Sequence, residues 1–485
     1  MDYAYLLTDK LYANYKNNIR IKDYYFHYND CSLHISDDQD SKILLMGYAT
    51  DCKEPSKSNQ DIADELLKLK DFDKILNQSR YLLGRFIIFY YQKDTFFHII
   101  PDATCSIPIY YTEGKSDQKS VSSDSLELAN MYQYGYSKEA IKIKNMAEEQ
   151  HPLPYNLTMY DEIKMIIPNH YLSMKKSAMV RFYPNKTIEL KEYEDVLDET
   201  ISIIDNVLKT VIKERKLALP LTSGIDSRTL LAFLKEDIES IPMYTFFNKG
   251  DSENWDMKVP KMIAEKYHLE HLALERETIS KEQLDELSVL LDKQQNRRIL
   301  ENGLTLSLSS LSERSFLSGD IIPILKSNFG KNLPESMATL GYLTTKTHNF
   351  SKENKNHVAK WMKDAQNEYN VSLYDLFFWE HRSGKWLPNN AKNYDVFADP
   401  YYLFNCHYLI ELWVSLSRKD RVNHSFQEEI IKRKWPELLE FPINPGKSKV
   451  NALAKNQYAY YIGSFIKYYI SKLKFLRKSR NKNPL

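Results

Sequence analysis

The chain of 485 residues is too long for one ordinary hydrophobic core, so its length predicts two large domains. It carries 66 Lys and Arg residues against 65 Asp and Glu residues, and the net charge of +1 argues against a protein whose whole surface follows nucleic acid. We therefore expect no nucleic-acid partner. With 43% hydrophobic residues, 13 Gly and 18 Pro, the composition is that of a packed globular chain.

The spacing of the cysteines and the lengths of the apolar runs indicate the cellular compartment of the protein. The four cysteines lie far apart and form no Cys-x-x-Cys pair, so we predict neither a structural zinc site nor a disulfide framework. They are Cys31, Cys52, Cys105 and Cys406. The chain starts with MDYAYLLTDK, which resembles neither a signal sequence nor an anchor, and no apolar run approaches about 18 residues. These features predict a soluble protein of the reducing cytoplasm.

Residues 1–185 have the pattern of a β-rich domain. Short aromatic and β-branched runs alternate with turn residues, and helical stretches interrupt them at 60–77 and 124–132. The predicted strands are 24–28, 43–49, 85–91, 95–101 and 107–112. The runs 85–91 and 95–101 indicate a hairpin that is apolar on both faces, as in a sheet covered on each side. We predict a β-sandwich for this part of the chain.

The pattern changes after RFYPNK (181–186), where long helical stretches begin. Residues 190–214 carry apolar side chains at helical spacing, which places the predicted domain boundary just before 190. Strands and helices then alternate. The predicted strands are 217–221, 242–247, 270–273 and 315–318, and the predicted helices are 227–238, 256–267 and 280–311. This order predicts an α/β domain with a doubly wound parallel sheet over 190–485, whose later part, 335–470, is mostly helical.

The turn between the first of these strands and its helix has the most informative chemistry. Its sequence TSGIDS (222–227) offers main-chain N–H groups and the hydroxyls of Thr222, Ser223 and Ser227 at the positive end of a helix, which favours an anion such as phosphate. Asp226 would repel that phosphate by ~1 to 4 kcal/mol at about 4 Å, so we expect a cation between them, most simply Mg²⁺. The alternative is that Asp226 caps the helix while Ser223 and Gly224 make the turn.

The stretch LTSGIDSR resembles the Ser-Gly-Gly-x-Asp-Ser pyrophosphate loop of the asparagine-synthetase-like ATP pyrophosphatases. Ser223, Gly224, Asp226 and Ser227 match that motif, and Ile225 stands where the family has its second glycine. Further segments extend the resemblance over nearly the whole chain. YLLGRFIIFYYQKDTFFHIIPDATCSIPIYYT (81–112) and LTMYDEIKMIIPNHYLSM (157–174) are similar to the glutaminase-like (Ntn-type) domain of this family, and WEHRSGKW (379–386) and WPELLEFPINPGKSK (435–449) to its helical C-terminal half.

The resemblance implies ATP and Mg²⁺ as cofactors and gives individual residues a role. In SFLSGDIIP (315–323), Gly319 and Asp320 match the strand end that carries the second metal-binding aspartate, although the usual Asp-Glu pair is absent and a turn aspartate is the alternative. The main chain near Thr245 and Phe246 would meet the adenine edge. The implied nucleotide-binding set is Thr222, Ser223, Gly224, Asp226, Ser227, Thr245, Phe246 and Gly319, with Asp226 and Asp320 as metal ligands.

The resemblance also implies catalytic residues in the later part of the chain. Such enzymes carry a late lysine that stabilises charge in the acyl step, and Lys447 and Lys449, after a Pro-Gly turn, are the candidates, with exposed loop lysines as the alternative. Glu380 is a further catalytic candidate and, with Arg382, a candidate for substrate binding. A surface ion pair is the alternative for those two residues.

One departure from the family concerns the start of the chain. Members that hydrolyse glutamine use a cysteine at position 2 as an N-terminal thiol nucleophile. Here position 2 is Asp2, and the nearest cysteine, Cys31, lies inside the chain. We therefore predict a glutaminase-like domain over 1–185 that does not hydrolyse glutamine, followed by a synthetase domain over 190–485.

The implied function is an ATP-dependent, AMP- and pyrophosphate-forming synthetase that adenylates a carboxylate and joins it to ammonia or an amine. Relatives without the cysteine include β-lactam synthetases and lasso-peptide cyclases, and the PNHYL, DSR and WPELL segments are similar to proteins of bacterial surface-polysaccharide synthesis. One alternative is a pseudoenzyme that retains nucleotide binding as a scaffold. Another is a sulfur transferase or tRNA-modifying enzyme, which needs catalytic cysteines, and none lies between residues 106 and 405.

The chain ends in a basic tail, KLKFLRKSRNKNPL (472–485), which follows the aromatic segment YYIGSFIKYYI (460–470). One interpretation is peripheral contact with an anionic membrane, and the other is a helix packed on the domain that ends in a solvated tail. We favour the packed helix. The oligomeric state is open, with a homodimer as one option.

Overall fold

The computed structural model describes residues 3–93, 96–113, 119–147, 151–251, 254–292, 294–365, 369–445 and 456–479. They form a mixed α/β fold with two antiparallel sheets and one parallel sheet, as the sequence predicts. We call the chain up to β12 the N-terminal part and the chain from α5 onward the C-terminal part. The predicted domain boundary falls between these two elements.

Two six-stranded antiparallel sheets make up the N-terminal part, with strand orders β10-β8-β9-β1-β3-β2 and β12-β11-β7-β6-β5-β4. The strands are β1 (Tyr5–Thr8), β2 (Asn17–Ile21), β3 (Tyr24–Tyr28), β4 (Leu33–Asp37), β5 (Ser41–Asp51), β6 (Leu82–Gln92), β7 (Phe96–Pro101), β8 (Tyr110–Thr112), β9 (Val121–Ser122), β10 (Ile163–Met165), β11 (His170–Ser173) and β12 (Ala178–Arg181). The predicted hairpin is β6 and β7, which pair from Ile87 with Pro101 to Gln92 with Phe96.

The two sheets pack face to face around aromatic side chains. Phe89 of β6 meets Tyr5 of β1 edge to face at 5.3 Å and Phe26 of β3 at 4.8 Å. The helices described in this part are α1 (Asn59–Lys68), α2 (Phe72–Ser79), α3 (Ser125–Tyr132) and α4 (Lys138–Asn145). Helices α1 and α2 cover the outer face of one sheet and α3 that of the other. The strand β6 is therefore buried on both faces, which explains its continuous apolar sequence.

The C-terminal part contains a five-stranded parallel sheet of order β15-β14-β13-β16-β17. Its strands are β13 (Leu217–Pro220), β14 (Met243–Phe247), β15 (His271–Glu275), β16 (Ser315–Leu317) and β17 (Asp399–Tyr401). Four of them match predicted strands. The fifth, β17, was not predicted, because three residues around Pro400 within an aromatic run carry no strand pattern, and only pairing with β16 makes them a strand.

Helices surround the parallel sheet and make up most of the remaining described residues. They are α5 (Tyr193–Glu214), α6 (Ile225–Phe233), α7 (Trp255–Tyr267), α8 (Lys281–Leu290), α9 (Arg297–Ser307), α10 (Ile322–Leu325), α11 (Leu340–Thr345), α12 (Lys352–Ala365), α13 (Leu373–Phe377), a π-helix (Phe378–Ser383), α14 (Gly384–Tyr394), α15 (His407–Val414), α16 (Arg418–Arg421), α17 (Ser425–Lys434) and α18 (Gln457–Ser479). Short 3₁₀ turns lie at Ile238–Ser240, Glu335–Met337, Val422–His424 and Pro436–Glu440. None of the described helices combines the length and apolar composition needed to cross a membrane.

The N-terminal and C-terminal parts share a continuous hydrophobic core. Tyr48 of β5 stacks on Tyr401 of β17, with ring centroids 4.8 Å apart. The indole N–H of Trp379 donates a hydrogen bond to the carbonyl of Ala103 (2.7 Å), and the amide of Asn405 donates to the carbonyl of Gly84 (2.7 Å). The two rings bury apolar surface against each other, and the buried polar groups have hydrogen-bond partners across the interface. These contacts hold the two parts together.

Candidate functional site

The parallel sheet has a topological switch point at β13. β14 lies on one side of this strand and β16 on the other, so the loops that follow β13 and β16 leave the sheet in opposite directions and open a crevice at its carboxyl edge. The two loops meet there, because a Cβ atom at Gly319 would lie 3.8 Å from the Cβ of Asp226. The predicted phosphate loop and the predicted second aspartate are thus brought to one crevice.

Local hydrogen bonds fix the shape of the loop 222–227. The N–H of Thr222 donates to the hydroxyl of Ser227 (3.1 Å), and the N–H of Gly224 donates to the hydroxyl of Thr222 (3.1 Å). Ile225 then begins α6 with its side chain buried in the core. It therefore has ordinary helical backbone, and the loop is built without a glycine at this position.

Ser223 binds an anionic group with two donors. Its main-chain N–H (3.1 Å) and its hydroxyl (2.6 Å) both donate to Oδ1 of Asp256, which lies in the first turn of α7. The hydroxyl contact has the short length of a charge-assisted hydrogen bond. The loop therefore holds a carboxylate oxygen of its own chain, at the start of a helix whose dipole favours negative charge.

Asp226 forms an ion pair with Lys326, the residue after α10. The ammonium lies 2.5 Å from Oδ1 and 2.6 Å from Oδ2 of the carboxylate. The lysine side chain is 11% exposed and the aspartate side chain 29%, so water screens this pair less than a surface salt bridge. In this structure the cation beside Asp226 is an ammonium of the same chain.

Asp320 is the second carboxylate of the crevice. It accepts a hydrogen bond from the hydroxyl of Ser318 (2.8 Å). Burial raises the pKa of Asp320, and the negative charge of Asp226 adds to the rise, whereas Ser318 and the charge of Arg382 oppose it. Asp226 and Asp320 therefore repel each other within one partly dry site.

This pair of carboxylates fits Mg²⁺ bound together with a phosphate. Mg²⁺ usually takes one or two protein carboxylates and completes its coordination with phosphate oxygens and water. A cation between Asp226 and Asp320 would relieve their repulsion. Over the described ranges, no group of three or more His, Cys, Asp or Glu side chains is arranged as metal ligands, so the protein alone does not build a complete cage here.

Strand β14 borders the crevice with main-chain groups. Its last pair with β13 joins Tyr244 to Pro220, and β14 continues beyond this pair to Phe247. The hydroxyl of Thr245 is used within the fold, since it donates to the carbonyl of Leu221 (2.7 Å). The hydroxyl of Thr245 is thus engaged within the fold, and the contact of the main chain near Thr245 and Phe246 with adenine stays a prediction.

Arg228 fastens a later segment of the chain beneath the loop. Its guanidinium is fully buried and donates hydrogen bonds to main-chain carbonyls of residues 438–442. The acceptors are Leu438 (3.2 Å), Phe441 (2.8 Å) and Pro442 (2.8 Å). Burial lowers the pKa of Arg228 to about 10, so the side chain stays protonated at neutral pH.

The same segment touches the loop directly, because the N–H of Asn444 donates to the carbonyl of Ser223 (3.1 Å). Lys447 and Lys449, the candidates for the late catalytic lysine, follow three and five residues later in the sequence. They lie outside the described residues. Their assignment stays a prediction.

Three further basic side chains of the C-terminal part have lowered pKa values, His424, Lys331 and Lys346. Burial lowers the pKa of His424, and the charges of Lys326 and Lys331 add to the fall. Burial also lowers the pKa of Lys331, and with the charges of Lys467 and Lys331 it lowers that of Lys346 to about 7. Neither Lys331 nor Lys346 has a carboxylate ion-pair partner among the described residues.

Glu380 has the surroundings of a structural ion pair. Its side chain is fully buried, and Arg181 donates to both carboxylate oxygens (2.6 and 2.8 Å). Asn169 and the indole of Trp361 each donate a further hydrogen bond of 2.8 Å. Both oxygens of Glu380 are engaged in this network between the two parts, and its catalytic role stays a prediction. The positive charge of Arg382 interacts favourably with the negative charge of Asp320.

At the start of the chain, a buried ion pair occupies the space next to Tyr3. The guanidinium of Arg85 pairs with both carboxylate oxygens of Asp395 (2.5 and 2.6 Å) and lies 4.2 Å from the ring of Tyr3. Asp395 comes from the C-terminal part, directly after α14. Asp2 lies outside the described residues.

Comparison with known proteins gives little independent identification. No known family model matches the chain. No curated protein matches it either. Among solved structures, the chain is similar to the glutamine-dependent NAD⁺ synthetase from Acinetobacter baumannii in complex with ADP, at 12% identity and a TM-score of 0.22, over 64% of this chain and 74% of that chain. The assignment of function therefore depends on the geometry of the crevice.

Two residues of the crevice were not predicted from the sequence, Asp256 and Lys326. Asp256 had a signal, because it begins the helix predicted at 256–267, directly after a strand next to β13, where helix starts gather at the carboxyl edge. Lys326 had no such signal in the sequence, since no motif or spacing after β16 predicts that this lysine reaches Asp226.

Proposed function

We propose that the protein is an ATP-dependent, AMP- and pyrophosphate-forming ligase that adenylates a carboxylate and joins it to a nitrogen nucleophile. One observation carries the proposal: Ser223 directs an N–H and a hydroxyl at a single anionic oxygen, at a helix start in the crevice that also holds Asp226 and the Gly319–Asp320 turn. An anion cradle and a cation site in one crevice suit a phosphate chain with its metal.

In this proposal, the polyphosphate replaces the carboxylate of Asp256 on the loop. The N–H and hydroxyl of Ser223, together with the hydroxyls of Thr222 and Ser227, would then stabilise the charge that develops on pyrophosphate as it leaves. Asp226 and Asp320 would hold Mg²⁺, which neutralises phosphate charge. The adenine would lie along the main chain of Thr245 and Phe246, where β14 extends past β13.

The attack of the nitrogen nucleophile on the adenylated carboxylate requires a positive side chain near the negative charge that develops in the transition state. Lys447 and Lys449 are the proposed source, because the segment that precedes them is hydrogen-bonded to the loop through Asn444 and fastened by Arg228. Arg382 is a further candidate for orienting the carboxylate substrate, since its positive charge reaches the crevice and lowers the pKa of Asp320. An amine or ammonia bound close to the adenylate would displace AMP and leave an amide or lactam.

We further propose that the N-terminal part is a glutaminase-like domain without glutaminase activity. Two facing antiparallel sheets with helices outside them are compatible with that fold. Asp2 offers no thiol for acyl transfer. Beside Tyr3, Arg85 forms a buried ion pair with Asp395 of the C-terminal part. The nitrogen source would then be free ammonia or an amine, in the synthesis of a surface polysaccharide or a peptide natural product.

The test is formation of AMP and pyrophosphate from radiolabelled ATP with Mg²⁺ and a panel of carboxylates and amines. We expect one pair of substrates to give stoichiometric AMP, and Asp226→Asn to lower that rate by about a hundredfold or more. Equilibrium binding of ATP serves as a separate readout. Binding without any AMP formation would favour the scaffold, for which the Lys326 ion pair on Asp226 is the supporting observation.

A further inference from the structure

Helix α18 (Gln457–Ser479) packs on the protein along one side only. Tyr461 stacks on Tyr342 of α11 at 5.0 Å, and the hydroxyl of Tyr468 donates to the carbonyl of Asn349 (2.9 Å). Near its end, Phe475 contacts Phe350 at 5.5 Å. This side holds the helix in place as far as its last turns.

The opposite side of α18 is a row of exposed apolar side chains, which we call the apolar stripe. Its members are Tyr458 (59% exposed), Ile462 (57%), Ile466 (54%), Tyr469 (58%), Ile470 (47%) and Leu473 (59%). At 3.6 residues per turn they fall within an arc of about 120°. Large apolar side chains scattered singly on a surface need no explanation, but an aligned row on one helix indicates a surface that another phase or molecule covers.

Basic residues lie beside the apolar stripe and at its end. Lys467 and Lys474 are exposed beside it, the exposed Arg477 follows it in the last turns of α18, and Lys472 is half-buried. The sequence from Phe441 to the last residue contains no Asp or Glu. The stripe therefore lies within a wholly cationic stretch of chain, which attracts an anionic surface.

We propose that α18 docks in the plane of an anionic lipid bilayer, with the apolar stripe in the headgroup region and the lysines on lipid phosphates. An amphipathic helix with an apolar face, basic flanks and tyrosines at the boundary is the kind of element that lies in a membrane interface. A second copy of the chain fits this surface less well. A two-fold contact would bring the cationic flanks of α18 against themselves.

On its packed side, α18 also contacts two lysines of the C-terminal part. Lys346 donates a hydrogen bond to the hydroxyl of Ser464 in α18 (3.1 Å), and the ammonium groups of Lys331 and Lys346 lie 5.2 and 5.0 Å from the ring of Tyr460. These contacts help to hold α18 on the protein with its apolar stripe facing outward.

The test is co-sedimentation of the full-length protein with vesicles of phosphatidylcholine alone and of phosphatidylcholine with phosphatidylglycerol. We expect binding to the mixed vesicles only. The double variant Ile462→Ser/Ile466→Ser leaves every charge in place and removes apolar contacts, so it should bind at least about tenfold less. The double variant Lys467→Gln/Lys474→Gln should bind about fivefold less for each lysine removed.

The matched control is Val289→Ser/Leu308→Ser, which changes two other exposed apolar residues and should bind as the wild type does. Retained binding of Ile462→Ser/Ile466→Ser would show that charge alone attracts the protein, and would overturn the docked helix. So would a concentration-dependent dimer, seen by light scattering without vesicles, that this variant abolishes. All of these readouts are independent of ATP and of the proposed reaction.

Discussion

Lys326 places its ammonium 2.5 and 2.6 Å from the two carboxylate oxygens of Asp226, the residue proposed to hold Mg²⁺. The ammonium must leave before a cation binds the same oxygens. In Lys326→Met, we expect the affinity for Mg²⁺ without nucleotide to rise about tenfold, because the competing charge is gone. Calorimetric titration measures it, with Mn²⁺ as a spectroscopic substitute.

Lys326→Arg is the matched control, since it keeps a positive group beside Asp226 and should leave the Mg²⁺ affinity close to that of the wild type. An unchanged affinity in Lys326→Met would mean that the ion pair does not oppose the cation.

Ser223→Ala should weaken ATP binding by about tenfold or more, because it removes a hydroxyl that donates a hydrogen bond to a charged oxygen. Equilibrium binding of labelled ATP in the presence of Mg²⁺ measures the change. Ser307→Ala is the control, as its hydroxyl donates only to the carbonyl of Leu304 within α9 (2.8 Å), and its ATP affinity should not change. Equal effects of the two variants would remove Ser223 from the proposed site.

Arg228→Met should lower the free energy of unfolding by about 3 kcal/mol or more, because it leaves buried carbonyls at residues 438–442 without their donors. Denaturation in urea measures the loss. Arg433→Met is the control: Arg433 pairs with Glu194 and Asp198 on the surface, where such pairs contribute at most about 1 kcal/mol. A mild effect of Arg228→Met would mean that water replaces the guanidinium.

Glu380→Gln should also destabilise the fold, by about 3 kcal/mol, since it leaves the buried charge of Arg181 without its full partner. The protein that remains folded should keep its KM for ATP. Glu429→Gln, which alters an exposed pair with Lys432, is the comparison. A large loss of kcat at unchanged stability would return Glu380 to the catalytic residues that the sequence suggested.

The buried amine of Lys385 makes the free energy of unfolding depend on pH. Burial lowers its pKa to about 7, whereas an unfolded lysine has a pKa of about 10.4. Between these values the unfolded chain binds more protons, so this residue makes stability rise with pH from about 7 to about 10. Lys385→Met should therefore stabilise the protein by about 2 kcal/mol at pH 6, and the gain should shrink toward pH 10.

Urea denaturation of both proteins across this pH range measures the difference. Part of the gain is offset because the ammonium of Lys385 donates to the carbonyl of Leu157 (3.0 Å), which the variant leaves unpaired. A stability difference that does not vary with pH would mean that Lys385 stays charged in the folded protein.

The sequence predicted those features that short stretches of chain determine. β6 and β7 are adjacent and apolar on both faces, and the loop 222–227 carries its donors within six consecutive residues, so periodicity and turn chemistry were sufficient. β17 and Lys326 depend on partners that are distant in sequence. The aspartate that Lys326 binds precedes it by 100 residues, and no local pattern records such a contact. The ion pair of Glu380 with Arg181 is likewise absent from any local pattern, because the two residues lie 199 positions apart.

The joint between the two parts has a practical consequence for cutting or tagging the protein. Trp379 donates to Ala103, and Asn405 donates to Gly84 of β6, which lie 276 and 321 positions earlier in the chain. Either part expressed alone would therefore expose apolar surface and unpaired polar groups. The two parts, expressed as separate fragments, should fold and associate only when both are produced in the same cell. Reporters and affinity handles therefore belong at the chain ends, not at residues 185–190.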